Sequence, residues 1–398
     1  MISVSQAIQI ISRETKALGT EKIDLRDAVG RVLREDIVAD TDLPPFDRSQ
    51  MDGFALVAAD AENAPVTLEI VGESAAGRGW HKTMKRGQAV RIMTGAPVPK
   101  GADSVQKVEL SRETERGQVQ ILGSTGKGRF IVRQGSEIKK GTTVFRSGEV
   151  ISDTMIAAMA SFGRAKAKVS RSPRVAILGT GSEIVEITKK PGRDQIRNSN
   201  SVMLDVLARK FGAETTVFPI SKDEISNLRS EISNAAKKAD LLVITGGVSV
   251  GKYDLTKTVL AELGAKIFFD KVRLKPGKPA VFARLGKALV FGLPGNPVSA
   301  AVTFHLFVRK AILAAQAASI TDMRRGSAVL AADAKAARER DTYLPSRLET
   351  SRSGQLLVHP LKWQGSSDFI GFARSDSLIF VPKGEMLRKG DIAQIAFL

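Results

Sequence analysis

A chain of 398 residues, 43% hydrophobic and 26% charged, is too long for one ordinary domain and has the composition of a soluble globular protein, with no unbroken apolar run suited to spanning a bilayer. The absence of cysteine excludes disulfides, thiolate metal ligands and a thiol nucleophile; the three histidines, His81, His305 and His359, lack zinc-type spacing, so a catalytic metal has to be a hard ion held by oxygens, Mg²⁺ being the usual one beside phosphates. The formal net charge of +18 favours anionic ligands, but the basic residues are scattered and few aromatics are present to stack bases, so specific nucleic-acid binding is not expected.

The N-terminal stretch MISVSQAIQIISRETKAL lacks the basic start and continuous apolar core of a secretory signal and reads as an amphipathic helix, which predicts a cytoplasmic protein. DLPPFDRSQMDGFALVAAD follows as a proline-bounded loop holding Asp47, Ser49 and Asp52. Ser49 and Asp52 have capping-box spacing, which Gly53 weakens. From about Ala64 to Glu137, short strands such as VTLEIVGES, AVRIMTGAPVP and QVQILGS between glycine or proline turns predict a small β domain. Val144 to Ala167 reads as helical again and is similar in character to the first fifty residues, so the two are expected to pack together with the β domain as an insertion.

Between Pro173 and Ile320 apolar strands alternate with periodic helices: RVAILGTG, NSVMLDVLARKFG, ETTVFPI, a helix opened by a Ser221/Glu224 capping box, DLLVITGG, DLTKTVLAELG, and ALVFGLPGNPVSAAVTFHLF. Such alternation predicts a parallel sheet covered on both faces, with ligands at the carboxyl ends of the strands. Three glycine-rich loops fall there. GTGSEI has Ile184 where a dinucleotide fingerprint needs its third glycine. GGVSVGKYD matches a P-loop as far as Lys252 and fails at Tyr253. Both read as generic turns that supply carboxylates, Glu183 and Asp254, to share a metal or orient a hydroxyl; the alternative for Asp254 is a helix cap.

In DKVRLKPGKP, Lys271, Arg273 and Lys275 alternate with Val272 and Leu274, which places three cations on one strand face, and Lys278 follows a Pro-Gly turn. GLPGNPVSA reads as strand, tight turn and helix, whose free N–H groups and dipole suit an oxyanion. From about Gly326 to Leu398 a further β-rich unit contains LLVHPLKW and DSLIFVPKG.

Taken in order, PPFDRSQMDGFA, RIMTGAPVPKGADSV, GTGSEI, NSN, GGVSVGKYD, KPGKP and GLPGNPVSA resemble the molybdopterin molybdenumtransferases, the MoeA type also found as the C-terminal part of gephyrin, and the match runs essentially end to end. The resemblance implies a multidomain α/β plus β fold in an elongated homodimer. Its parts would be a central three-layer α/β domain with a mostly parallel sheet, like that of molybdopterin adenylyltransferases, at 173–322; an inserted small β domain at 51–139; a discontinuous N-terminal linker and dimerisation domain at 1–50 and 140–172; and a C-terminal β-barrel at 323–398. The implied reaction takes adenylylated molybdopterin and molybdate, cleaves the adenylate with Mg²⁺, releases AMP and places molybdenum on the dithiolene, with other cofactor-biosynthesis proteins as further partners. The sulfurs belong to the substrate, so a chain without cysteine suffices.

By motif, the resemblance assigns Asp52, Glu183 and Asp254 to catalysis and metal binding, with Glu137 as a further metal-site acid. It assigns Lys271, Lys275 and Lys278 to phosphate or molybdate, and Pro294 and Pro297 to the oxyanion pocket. Ser49, Thr94, Gly246, Gly247 and Ser249 lie on its substrate loops; Ser366 resembles a pocket serine, and Arg340 and Arg347 compete for a pocket arginine. The sequence departs from the family pattern at Arg48, where asparagine is common, at Glu137, where many members have aspartate, and at Lys252, where an acidic residue is frequent. A tungstate-specific transferase and a non-catalytic scaffold that binds the pterin nucleotide are the alternatives.

Overall fold

The computed structural model describes residues 1–221, 224–247, 255–362 and 365–398. The chain divides into two compact units, one of Met1–Glu35, Ser147–Ala157 and Ala165–Leu398, the other of Asp36–Arg146 and Ala158–Arg164.

In the larger unit the N-terminal helix Val4–Glu14 opens with a capping box: Ser3 Oγ accepts from the Gln6 N–H, and the Gln6 side chain accepts from the Ser3 N–H. Its apolar face, Val4, Ala7 and Ile11, is buried in the same core as Phe304, Phe307 and Ile312. The main sheet runs in the order Glu214–Val217, Arg174–Gly179, Leu241–Thr245, Ala288–Leu293, Pro279–Leu285, Lys266–Lys271. The first four strands are parallel, and the last two pairings are antiparallel. Side chains alternate across it, Val175 and Ile177 facing one core, Ala176 and Leu178 the other. Helix Ser199–Lys210 covers the first face; Ile225–Lys238 and Leu255–Glu262 cover the second. The result is a three-layer α/β sandwich with a mixed sheet.

The antiparallel hairpin is the part that strand–helix alternation does not announce. In KPAVFARLGKALVFGL the two apolar strands are joined by Gly286 and Lys287, a connection too short for a crossover helix. The chain then enters Pro297–Ala315, a continuous helix with a π-helical stretch at Phe304–Val308. Among the described residues it is the one helix long and apolar enough to cross a bilayer by composition. Since 89% of it is buried inside the protein, it is apolar all round because protein surrounds it.

The C-terminal strands Arg325–Leu330, Asp341–Thr350, Leu356–Pro360, Ser377–Val381 and Ile392–Phe397 close into a five-stranded barrel, the long strand Asp341–Thr350 pairing with both Leu356–Pro360 and Ser377–Val381. Leu330, Val358, Ile379 and Ile395 fill its core. The short strand Leu274–Lys275 adds to it in parallel at Asp341 and Thr342, which fixes the lysine loop to the barrel.

The smaller unit is built on a six-stranded sheet in the order Ser104–Lys107, Gly53–Leu56, Gln88–Ile92, Val66–Ser74, Gln118–Ile121, Ser111–Thr114. Phe54 and Leu56 face one core, Ala55 and Val90 the other.

Two local expectations are corrected, and the capping-box alternative at Ser49 and Asp52 is excluded. Ser49 and Asp52 do not cap a helix: Arg48–Ser49 and Gly53–Leu56 are strands, and a Cβ on Gly53 would lie 2.0 Å from the Gln106 carbonyl oxygen. Ser221 does not cap Ile225–Lys238, whose N-cap is Glu224; Ser221 is buried and bridges Thr180, extending the sheet edge instead. The stretch 144–167 holds one helix, Asp153–Ser161, between strands Thr143–Phe145 and Lys166–Ser170.

Candidate functional site

Three turns of the larger unit open where three neighbouring parallel strands end. Thr180 follows Arg174–Gly179, Gly246 follows Leu241–Thr245, and Pro294 follows Ala288–Leu293. All three line one cleft of about 1420 Å³. The turns are packed so closely that a Cβ on Gly246, whose φ is +98°, would meet the Thr180 carbonyl oxygen at 2.2 Å. Only glycine fits there.

The NSN segment ties these turns together, a role that sequence reading missed. Asn198 caps helix Ser199–Lys210, its side chain accepting from the Ser201 N–H at 3.1 Å. Asn200 Nδ2 donates to Thr245 Oγ1 at 2.9 Å and to the Gly295 carbonyl at 2.7 Å. A carbonyl only accepts, so the amide orientation is fixed. Among the described residues, Asn200 Oδ1 and Thr180 Oγ1 are buried without hydrogen-bond partners. The sequence signal for this was two asparagines bracketing a serine at a helix start.

Of the expected site residues, Glu183, Gly246, Gly247, Lys275, Lys278, Pro294, Pro297, Arg340 and Ser366 line this cleft. Ser366 is held in place by Asn296, whose Nδ2 donates to Ser366 Oγ at 2.8 Å, while the Val298 N–H donates to the Ser366 carbonyl at 3.1 Å. The first turn of helix Pro297–Ala315 is therefore partly occupied: proline has no N–H and that of Val298 is used. Glu183 is exposed in the cleft, and among the described residues no hydrogen bond or ion pair engages its carboxylate.

Lys271 and Arg347 lie elsewhere. The basic run is not one strand: it breaks between Lys266–Lys271 and Leu274–Lys275, with Val272 and Leu274 both buried; Lys275 lines the cleft, and Lys271, off the lining, is the strand partner of the lining residue Pro279. Arg347 is exposed on the barrel opposite His359. Ser249, Lys252 and Asp254 lie outside the described residues.

The remaining four belong to the smaller unit. Asp52 Oδ1 accepts from the Thr94 N–H at 2.8 Å, and Ser49 Oγ donates to the Met51 carbonyl at 2.6 Å. The Ser49 N–H donates to the Ala96 carbonyl and the Gly95 N–H to that of Ser49, which brings Ser49, Asp52 and Thr94 into one loop cluster. Glu137 is ion-paired with Arg48 at 3.2 Å, so two departures from the family pattern meet each other. Among the described residues no group of three or more acidic or histidine side chains is close enough to hold a metal.

A cleft at the carboxyl ends of a largely parallel sheet, with Lys275, Lys278 and Arg340 on its lining and Glu183 beside them, defines an α/β protein suited to a polyanionic ligand. Three family models cover the chain: "MoeA N-terminal region (domain I and II)" over residues 2–163, "Probable molybdopterin binding domain" over 176–314, and "MoeA C-terminal region (domain IV)" over 327–398. A molybdopterin molybdenumtransferase of Staphylococcus epidermidis is 32% identical over 99% of this chain and 95% of its own length; that of Bacillus subtilis is 33% identical over 96% and 90%. The crystal structure of a molybdopterin biosynthesis moeA protein from Pyrococcus horikoshii OT3 superposes with a TM-score of 0.86 at 28% identity, covering 100% of both chains. The chain belongs to the MoeA family of molybdopterin molybdenumtransferases, enzymes of molybdenum cofactor biosynthesis.

Proposed function

We propose that this chain takes adenylylated molybdopterin and molybdate, cleaves the adenylate, releases AMP and transfers molybdenum to the dithiolene. The observation that carries the reading is the convergence of Lys275, Lys278 and Arg340 on one cleft with the Pro294–Pro297 turn. Phosphates and molybdate are multiply charged oxyanions, and cations on ordered loops, together with the positive end of a long helix, offset that charge. The substrate-contacting set is Lys275, Lys278, Arg340 and Ser366, with Pro294 and Pro297 shaping the wall; Lys271 and Arg347 stand outside it.

Mg²⁺ fits the donor set in part. It binds through one or two carboxylates and keeps water and phosphate oxygens as its other ligands. Glu183 offers an unengaged carboxylate in the cleft, Asp254 is the second acid assigned by motif, and Glu137 is already committed to Arg48. When bound, the ion would supply charge neutralisation at the phosphates; the chain's own residues hold and orient the substrate.

In this reading the protein is a cytoplasmic homodimer, organised in the four domains at the boundaries given above, and works beside other proteins of the same biosynthesis. The Asp52 loop cluster would serve a second chain's cleft. Mixed dimers with Asp52→Ala in one chain and Asp254→Ala in the other test that: complementation requires one intact site from the two defective chains.

The test of the reaction is AMP release from adenylylated molybdopterin by the purified protein with Mg²⁺, with molybdate, with tungstate and with neither. Molybdate-stimulated release is expected. Tight binding of the pterin nucleotide with no release under any oxyanion would overturn the reading in favour of a scaffold.

A further inference from the structure

Three of the cleft's four isoleucine and phenylalanine side chains, Ile184, Ile187 and Ile196, come from one short segment, an isoleucine rim; the fourth, Phe369, comes from the Ser366 side. Ile184 and Ile196 are direct partners in the short parallel pair Ile184–Val185 and Ile196–Arg197, and both line the cleft together with Ile187. Ile187 is 51% and Ile196 60% exposed, and what distinguishes them from other exposed apolar side chains is that with Ile184 they line one cleft. The backbone is ordered by named bonds: the Ile196 N–H donates to the Glu183 carbonyl at 2.8 Å, the Asn198 N–H to that of Val185 at 2.9 Å, and Arg197 Nε to that of Lys189 at 3.1 Å.

Arg197 stands beside the rim, whereas the two lysines lie at the other end of the same cleft. The isoleucine rim follows strand Arg174–Gly179, whereas Lys275 and Lys278 precede strand Pro279–Leu285, and two strands stand between these in the sheet order. Three strand spacings amount to roughly 14 Å. A single inorganic oxyanion is too small to touch both ends and gains nothing from isoleucine.

We propose that Ile184, Ile187 and Ile196 form a shelf for a flat heteroaromatic ring joined to phosphate, the phosphate lying toward Lys275 and Lys278. The assignment rests on the reading that the cleft takes a phosphorylated pterin nucleotide. Two rings share this chemistry, the adenine of the adenylate and the pterin itself.

Calorimetric titration of the intact protein with AMP, a 6-substituted pterin phosphate and inorganic pyrophosphate separates them. In an Ile187→Ser/Ile196→Thr variant, which keeps a β-branched residue in the strand, the ring ligand that uses the shelf is expected to bind about fivefold more weakly, the equivalent of some 40 Å² of apolar contact, with pyrophosphate unchanged. Ile196→Phe is expected to retain or tighten ring binding. Loss confined to AMP assigns the shelf to adenine, and loss confined to the pterin phosphate assigns it to pterin. Unchanged affinity for both rings overturns the proposal, as does an equal loss for all three ligands in both variants. A changed sedimentation coefficient with unchanged ring affinity also overturns it, by assigning the rim to contact with a second copy. If wild-type protein binds pyrophosphate but neither ring, the shelf fails alone; if it binds none of the three, the cleft reading fails with it.

Discussion

Lys271 and Lys275 belong to one basic run, yet only Lys275 borders the cleft, because the strand stops at Lys271 and the next begins at Leu274. Arg340 and Arg347 divide in the same way, one in the cleft lining and the other opposite His359 on the barrel surface. Charge-assisted hydrogen bonds to phosphate are the strong ones, so Lys275→Ala and Arg340→Ala are each expected to lower kcat/KM for AMP release by roughly ten- to a hundredfold, whereas Lys271→Ala and Arg347→Ala leave it within about threefold. Steady-state kinetics of the four variants decides it; a large loss in Arg347→Ala would move the pocket to the other arginine. Gly246→Ala acts by another route. The added methyl collides with the Thr180 carbonyl and forces a positive φ on alanine, so a loss of roughly 1–3 kcal/mol in denaturant stability is expected along with weakened ligand binding. Wild-type stability in that variant would show that the turn has another conformation.

Helix Pro297–Ala315 joins the cleft at its first turn to a buried histidine in its π-helical stretch. Burial, with Lys210 and Arg309 nearby, pushes the His305 imidazole down to about 4, and its ring meets Phe211 and Phe304 edge-on. The folded state therefore holds His305 neutral while an unfolded chain protonates it near pH 6.5. Stability from this group is full above that value and falls as pH drops from about 6.5 to about 4, by up to ~3 kcal/mol. Chemical denaturation of wild type and His305→Phe at pH 7, 5.5 and 4.5 checks the sign: the wild type is expected to lose more stability than the variant on acidification, and parallel losses would exclude the histidine. At this scale the sequence was partly legible. Periodicity and glycine loops marked the parallel strands and the ends that line the cleft, because burial on both faces leaves nearly continuous apolar runs such as Leu241–Thr245. The hairpin Pro279–Leu285 with Ala288–Leu293 was not legible, since its strands carry the same apolar composition and only the shortness of the Gly286–Lys287 connection gives it away. Nor was the role of Asn200, whose bonds to Thr245 and Gly295 join residues distant in sequence.

For the whole molecule, composition and architecture make one joint claim. The net charge of +18 forms no contiguous basic tract, but Lys275, Lys278, Arg340 and Arg197 share a cleft that holds Glu183 as its one acidic lining residue among those described. A cleft lined by one sign of charge with low-dielectric walls focuses the field and raises the encounter rate of an anionic substrate. Contacts inside the cleft are short, whereas steering acts over several ångströms of solvent and is screened once the Debye length shrinks from ~10 Å at 0.1 M toward ~3 Å at 1 M salt. Ionic strength should therefore lower kcat/KM for the pterin nucleotide by roughly tenfold between dilute buffer and about 0.5 M of a weakly coordinating salt, with kcat nearly unchanged. Binding to duplex DNA, measured in parallel, should be weak, indifferent to sequence and lost over the same range, as expected for a polyelectrolyte effect. A salt-independent kcat/KM would mean that encounter does not limit the reaction. A salt-resistant, sequence-selective DNA affinity would show that the excess charge serves a nucleic-acid surface outside the cleft.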